Sequence, residues 1–306
     1  METQRKTAII IGAGPAGLTA AVYVKRAGKS VLVIEKDAFG GQITWSPLVE
    51  NFPAMGPISG TDLGDLMTNR ALELGAETEV GEVVALRKEG DLFTVTTDFD
   101  EEYQGRSVVI ATGARPKTLG LPEEEQYQGN GECFCAVCDG AFYKDKVVAV
   151  CGGGNAALQD AAYLADLCKK VYLVHRRDTF RGEPVMVEKL RAMDNVEMVL
   201  GYQVKELLGG ENLSGIRLVD SDGQDKDLVV DGVFVAIGHS PANEAFREWI
   251  ELDEKGYADS GEDCVTKTPG VFVAGDNRKK TIRQLTTAAA DGAVAALAAC
   301  QYLDQN

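Results

Sequence analysis

The chain has 306 residues, 45% of them apolar, enough to bury a sizeable core and by length to suggest about two domains. Its formal net charge of −16 argues against nucleic acid or an anionic membrane as partner, because the averaged field repels phosphates. Seven cysteines, an odd number in a chain without an export signal, fit a reducing cytoplasm in which one pair is catalytic and the rest are thiols.

From Met1 to Lys6 the chain runs straight into its first strand, with no apolar signal-peptide core. Residues 7–22 start as a continuous apolar run, break at Gly12-Ala13-Gly14-Pro15-Ala16-Gly17 and resume as an Ala-rich helix. That pattern is strand, phosphate loop, helix. The first glycine permits the tight turn, the second lets backbone approach a pyrophosphate, the third lets helix pack on strand, and free N–H groups at the helix start bind the anion. The next apolar run, 30–35, ends at Glu35, about 20 residues on, where a carboxylate suits an adenosine ribose hydroxyl. Residues 82–87 and 91–97 alternate as antiparallel strands. Residues 107–116 form another strand, ending at a turn that contains Gly113.

A polar, acidic connector, 121–131, leads to Cys135-Ala136-Val137-Cys138-Asp139-Gly140. Two intervening residues in a turn bring the sulfurs within bonding reach, and a thiol at a helix N-terminus ionises more readily. Such a pair exchanges two electrons with another disulfide, and a dinucleotide is the usual source of two electrons. Residues 147–157 then repeat the strand and glycine turn, with Gly152, Gly154 and Ala157 at the loop positions. The strand Lys170–His175 follows at the spacing of 30–35, but in place of the acid stands His175-Arg176-Arg177-Asp178-Thr179-Phe180-Arg181. Guanidinium forks recognise a phosphate where a carboxylate would repel one, so the second site is expected to take NADPH rather than NADH. Residues 203–208 and 213–218 match the earlier antiparallel pair, and 232–241 echoes 107–116. Residues 270–276 form a strand ending in Gly275-Asp276, and the Ala-rich stretch 285–300, interrupted by Asp291-Gly292, is too short and too polar to span a bilayer.

These repeats predict an α/β chain of two Rossmann-like dinucleotide-binding domains, each a parallel sheet with helices and an antiparallel β layer. The second is inserted in the first: 1–116 and 243–306 form one domain, 117–242 the other, with 113–116 and 238–241 as a hinge.

Eight stretches in order, 12–17, Gly40-Gly41-Gln42, Glu50-Asn51-Phe52-Pro53, Ala111-Thr112-Gly113, 135–140, 152–157, 175–181 and Gly275-Asp276 with Arg283-Gln284, resemble the low-molecular-weight, bacterial-type thioredoxin reductases. The resemblance covers almost the whole chain. It implies FAD on the first domain, held by Gly12, Gly14, Ala16, Gly17, Glu35, Gly41, Gln42, Asn51, Ala111, Thr112, Gly113, Gly275, Asp276, Arg283 and Gln284. It implies NADPH on the second, held by Gly152, Gly154, Asn155, Ala156, Ala157, His175, Arg176, Arg177 and Arg181. The implied activity passes a hydride from NADPH to the flavin, electrons to the Cys135–Cys138 disulfide, and reducing equivalents by dithiol exchange to thioredoxin. Cys138 is then the flavin-facing sulfur, Cys135 the attacking one, and Asp139 the proton donor and acceptor. Dithiol and nicotinamide ride on one domain and cannot both adjoin one flavin, so the resemblance implies rotation on the hinge, and a homodimer built on the FAD domain.

The chain departs from the pattern at Asn155-Ala156, where relatives commonly have Asp-Ser, and at Cys133, which could shuffle with Cys135 or be an idle small side chain. Other readings stand beside this one. The cysteines at 133, 135 and 138 offer half of a zinc site, Asp139-Gly140 suits a plain turn or cap, and the arginines suit a solvated face. His175 reads as packed rather than as a base; Cys151, Cys168, Cys264 and Cys300 read as packing thiols. A flavin-dependent dithiol oxidase would share the scaffold without needing the arginines, and a non-catalytic NADP-binding sensor would be colourless.

Overall fold

The computed structural model describes residues 4–46, 48–53 and 55–306; Met1, Glu2, Thr3, Pro47 and Ala54, and with them the start of the chain, lie outside the described residues. The chain divides into two compact units, Met1–Arg115 with Ser240–Asn306, and Pro116–His239. The divisions fall one and three residues before the expected domain ends at 116 and 242.

The first unit opens with β1 (Gln4–Ile11), α1 (Pro15–Arg26) and β2 (Val31–Glu35), followed by α2 (Gly60–Glu73) and β3 (Glu77–Val80). Then come β4 (Val83–Glu89), β5 (Leu92–Thr97) and β6 (Glu102–Ile110). Their order is β3-β2-β1-β6-β5-β4, parallel as far as β6 and antiparallel beyond it. Every residue of β2 is buried, as a parallel strand covered on both faces requires, whereas β4 exposes most of its side chains. The antiparallel strands therefore extend the main sheet of this unit, instead of forming the separate layer expected from the sequence. Strand β7 (Ala114–Pro116) then leads out of the unit.

The second unit holds α3 (Glu124–Tyr127), β8 (Glu132–Cys133), α4 (Ala136–Asp139), β9 (Val147–Cys151), α5 (Asn155–Ala165), β10 (Lys170–His175), α6 (Pro184–Arg191) and β11 (Val196–Leu200). Strands β12 (Gln203–Gly209), β13 (Leu213–Val219) and β14 (Asp225–Val229) form their own antiparallel sheet, and β15 (Gly232–Val235) returns to the parallel one. The parallel order is β11-β10-β9-β15-β8, the same succession as β3-β2-β1-β6 in the first unit, as a duplicated core demands. Strand β16 (His239–Pro241) leads back and pairs with β7.

The first unit is completed by β17 (Val271–Val273), parallel to the end of β6, and by α7 (Leu285–Gln305). Strand β6 thus serves two partners on one edge: residues 102–105 pair with β5, and 108–110, all buried, pair with β17. Helix α7 lies so close to α1 that a Cβ at Gly292 would sit 2.1 Å from the Ala16 carbonyl oxygen, which is why a glycine interrupts the alanine run there. Among the described residues no helix is long and apolar enough to cross a membrane.

Candidate functional site

In the first unit β1 ends at a loop built by close backbone approach. Gly12 has φ +104°, and a Cβ there would lie 2.4 Å from the Ala111 carbonyl oxygen; one at Gly17 would lie 1.8 Å from the Gly12 carbonyl oxygen. Gly14, by contrast, has room beside it, and it caps α1 without any side chain bonding the helix's free N–H groups. Glu35, only 8% exposed, takes the N–H of Ala13 on Oε2 at 2.6 Å and that of Asp37 on Oε1 at 2.9 Å. The acid at the end of β2 therefore fixes the glycine loop as well as facing it.

Around this loop stand most of the other expected residues. Gly40 and Gly41 both have positive φ, and a Cβ at Gly41 would strike Gly14 Cα at 2.7 Å. Gln42 donates to the Ala114 carbonyl at 3.1 Å, and Asn51 donates to Gln284 Oε1 at 3.4 Å. Gly275 follows β17 with φ +85°, next to Ala16. The Arg283 guanidinium sits 4.2 Å over the Tyr257 ring. The Thr112 hydroxyl is buried with no hydrogen-bond partner among the described residues. A helix start without a side-chain cap, a glycine cradle and an orphaned hydroxyl fit a phosphate-bearing dinucleotide.

The second unit repeats the loop with different chemistry. A Cβ at Gly152 would lie 2.4 Å from the Ala236 carbonyl oxygen and 2.7 Å from Ala157 Cβ, while Gly154 has nothing within 4 Å and caps α5 without a side-chain bond. Gly153 is pressed against the His175 ring, which a Cβ would meet at 2.2 Å. His175 is buried and stacks on Phe180 at 5.4 Å; burial, then the Arg181 and Arg177 charges, push its pKa down, so the ring stays neutral. Arg176, Arg177 and Arg181 are exposed, and none has an acidic partner among the described residues. The Arg181 N–H donates to the Gly153 carbonyl at 2.7 Å, so the arginine segment is tied to the loop. Asn155 turns the other way: its Oδ1 accepts the Glu183 N–H at 2.7 Å, anchoring the segment that starts α6. Ala156 is exposed and Ala157 buried.

In the same unit Cys135 and Cys138 form a disulfide with Cα atoms 5.2 Å apart. Cys135 caps the short α4, its sulfur accepting the Cys138 N–H at 3.2 Å; Cys138 is exposed and Cys135 half-buried. Burial pushes the adjacent Asp139 carboxyl up to about 6. Cys133 is 7% exposed, contacts Tyr143 Oη at 3.4 Å and has its thiol pushed up by burial to about 12. It is an inert thiol rather than an exchanging one. The remaining free cysteines, Cys151, Cys168, Cys264 and Cys300, are buried and pack as expected.

The sequence reading missed the charges behind Asp276. Lys280 Nζ lies 3.2 Å from Asp276 Oδ1 and 3.1 Å from Asp291 Oδ2, and Arg278 holds the other Asp291 oxygen at 3.1 Å. It also missed Asn277, fully buried, whose side chain donates to the Ile110 carbonyl at the end of β6. No periodicity marks either group: Asp276 and Lys280 lie in an irregular turn, their shared partner Asp291 comes from α7, and the Asn277 partner Ile110 lies far off in sequence.

Two glycine-loop units of one strand order, the second bearing a closed dithiol, define a flavin- and nicotinamide-dependent oxidoreductase acting on disulfides. The chain belongs to the pyridine nucleotide-disulphide oxidoreductase family, whose pattern matches residues 6–292. It is 39% identical to a thioredoxin reductase of Listeria innocua serovar 6a over 97% of this chain and 93% of the relative. It is 41% identical to a thioredoxin reductase of Mycolicibacterium smegmatis over 96% of each. The crystal structure of thioredoxin reductase from Streptococcus pyogenes, 37% identical, matches it with a TM-score of 0.93 over 100% of both chains. A Lactococcus lactis thioredoxin reductase solved in the FR conformation, 32% identical, matches with a TM-score of 0.69 over 98% of this chain and 100% of that one.

Proposed function

We propose that this chain is an NADPH-dependent thioredoxin-disulfide reductase with FAD on its first unit. The observation that carries the reading is the Cys135–Cys138 disulfide at the start of α4, inside the unit whose glycine loop is joined by the Arg181 N–H to the arginine segment that follows β10. A bound flavin supplies two-electron transfer between a nicotinamide and a disulfide. Gly12, Gly14 and the start of α1 hold its pyrophosphate, Glu35 its ribose, and Gln42, Asn51, Thr112, Asp276, Arg283 and Gln284 its remaining length. Gly152, Gly154 and the start of α5 hold the NADPH pyrophosphate, and Arg176, Arg177 and Arg181 the ribose phosphate.

Two electrons and two protons open the Cys135–Cys138 bond. Cys135 attacks the thioredoxin disulfide, forming a mixed disulfide and releasing one thioredoxin thiol; Cys138 then displaces the other and restores the intramolecular bond. Asp139, poised near pH 6, supplies and collects the proton of this exchange. The pairing of β7 with β16 leaves two short strands as the hinge on which the second unit turns. The FR conformation of the Lactococcus relative supports that rotation. Exposed Tyr23, Leu66 and Leu297 on helices of the first unit support a homodimer built there, and five buried free thiols support a reducing cytoplasm.

Anaerobic titration with NADPH and with NADH, followed by thioredoxin and a chromogenic disulfide, tests the reading. Bleaching by NADPH with thioredoxin-dependent turnover is expected. Bleaching without that turnover, or turnover that passes only to oxygen, refutes it in favour of a dithiol oxidase.

A further inference from the structure

The turn after β17 carries a charge network that the proposed reaction does not use. Asp291, on the second turn of α7, has both oxygens occupied. Its Oδ2 takes the Gly275 N–H at 3.1 Å and Lys280 Nζ at 3.1 Å, and its Oδ1 takes Arg278 at 3.1 Å. Arg278 is itself consumed inside the unit, donating also to the Ser260 hydroxyl and to the Ser260 and Gly261 carbonyls. The side chains of Arg278, Lys280 and Asp291 are 8%, 10% and 14% exposed, whereas Asp276 is 33% exposed. Two cations and three anionic contacts thus surround one backbone turn, and only Asp276 reaches outward from it.

Lys280 is the pivot of this arrangement. Its ammonium lies between the two carboxylates, 3.2 Å from Asp276 and 3.1 Å from Asp291, with the Thr287 hydroxyl 3.4 Å away. Oδ1 of Asp276 is buried and has no hydrogen bond among the described residues; it faces Lys280 as an ion-pair partner at 3.2 Å. An ammonium at ion-pair distance attracts one oxygen of a carboxylate, and a carboxylate so oriented is less free to rotate away from its ligand. We infer that Lys280 is a positioning residue for the flavin: clamped by Asp291, it keeps one oxygen of Asp276 turned inward, so that the other accepts a hydroxyl of the cofactor. The inference rests on the flavin reading of the first unit and goes beyond it by assigning the second layer of residues.

The test follows flavin released from the holoprotein on dilution, read by its fluorescence. Lys280→Met is expected to weaken FAD retention about 10- to 100-fold, the range lost when a hydrogen bond to a charged acceptor is disordered. Lys280→Arg, which keeps the cation between the two carboxylates, should restore most of the retention. Lys280→Gln, neutral but still a donor, should fall between them and serves if the methionine variant folds poorly. In an Asp276→Asn background, Lys280→Met should cost less than twofold more. A Lys280→Met protein with parental retention overturns the inference, as does a Lys280→Arg protein no better than Lys280→Met, or a full multiplication of the two effects. If Asp276→Asn leaves retention unchanged, the flavin assignment of Asp276 fails and takes the inference with it.

Discussion

Glu132 is buried where no ion should be. It is 1% exposed on β8, and neither of its oxygens has a hydrogen-bond partner among the described residues. The nearest charged group is Glu124 of α3, itself 5% exposed, whose carboxylate is committed to the main-chain N–H groups of Leu119, Gly120 and Leu121. The other titratable groups near it are Cys151 of β9 and Cys133 of its own strand, both held as neutral thiols up to about pH 12. Burial first, and then Glu124, push the Glu132 carboxyl up from 4.5 to about 8. At neutral pH it is an acid that can donate to Glu124. Its folded-state pKa lies above its unfolded one, so the stability it contributes is complete below pH 4.5 and is lost as pH rises through about 8. Each pH unit of that interval is worth about 1.4 kcal/mol, so the loss is on the order of 5 kcal/mol. Glu132→Gln keeps the shape and the donor and removes the titration. The variant should match the parent near pH 5 and outlast it increasingly towards pH 8.5. At several degrees of Tm per kcal/mol for a unit of this size, the gap should open by on the order of 10 °C. Thermal unfolding of the holoprotein at half-unit pH steps measures this. A gap that stays constant with pH, or that is wider at pH 5, refutes the reasoning.

Three further outcomes are expected. Asp139→Asn should slow dithiol exchange with thioredoxin by about 10²- to 10⁴-fold and erase a limb near pH 6 from its pH profile, while flavin bleaching by NADPH keeps its rate; stopped-flow absorbance separates the two steps. Arg176→Ala with Arg177→Ala should raise KM for NADPH by about 10-fold or more and leave KM for NADH nearly unchanged, as steady-state kinetics with both nucleotides would register. Gly292→Val drives a side chain into the Ala16 carbonyl and should lower stability by about 2 kcal/mol or more while loosening the flavin, which thermal unfolding and released-flavin fluorescence would both record.

The two loops and the dithiol were legible in the sequence because each is a contiguous pattern set by backbone geometry. Gly12, Gly17 and Gly152 are required by carbonyl oxygens under 2.5 Å from where a Cβ would stand, and such requirements leave the same glycine spacing wherever they occur. Strand β8 was not legible, since two residues give no alternation, and Glu132 at the end of an acidic connector reads as a solvated charge. Asn155 was placed on the cofactor by its position in the loop, yet its side chain is spent on Glu183, a partner chosen by tertiary approach. The Lys280 network escaped for the same reason: Asp291 reaches it from α7, whose sequence advertises only small residues for packing on α1.

Under the proposed function, the duplicated loops separate two dinucleotides with one fold. In each unit the residue ending the second strand touches the middle residue of the glycine loop: Glu35 takes the Ala13 N–H, and the His175 ring lies against Gly153. A carboxylate at this point satisfies the loop amide and presents negative charge that suits a ribose hydroxyl and repels a phosphate there. A ring held neutral by burial presents none, and Gly153 is glycine because the ring occupies the space a side chain would need. In the proposed function the exchange at one strand end removes the repulsion, and Arg176, Arg177 and Arg181, exposed and without acidic partners among the described residues, add the attraction. Discrimination between the two cofactors therefore needs both halves, since arginines beside a carboxylate would pair with it rather than with a phosphate.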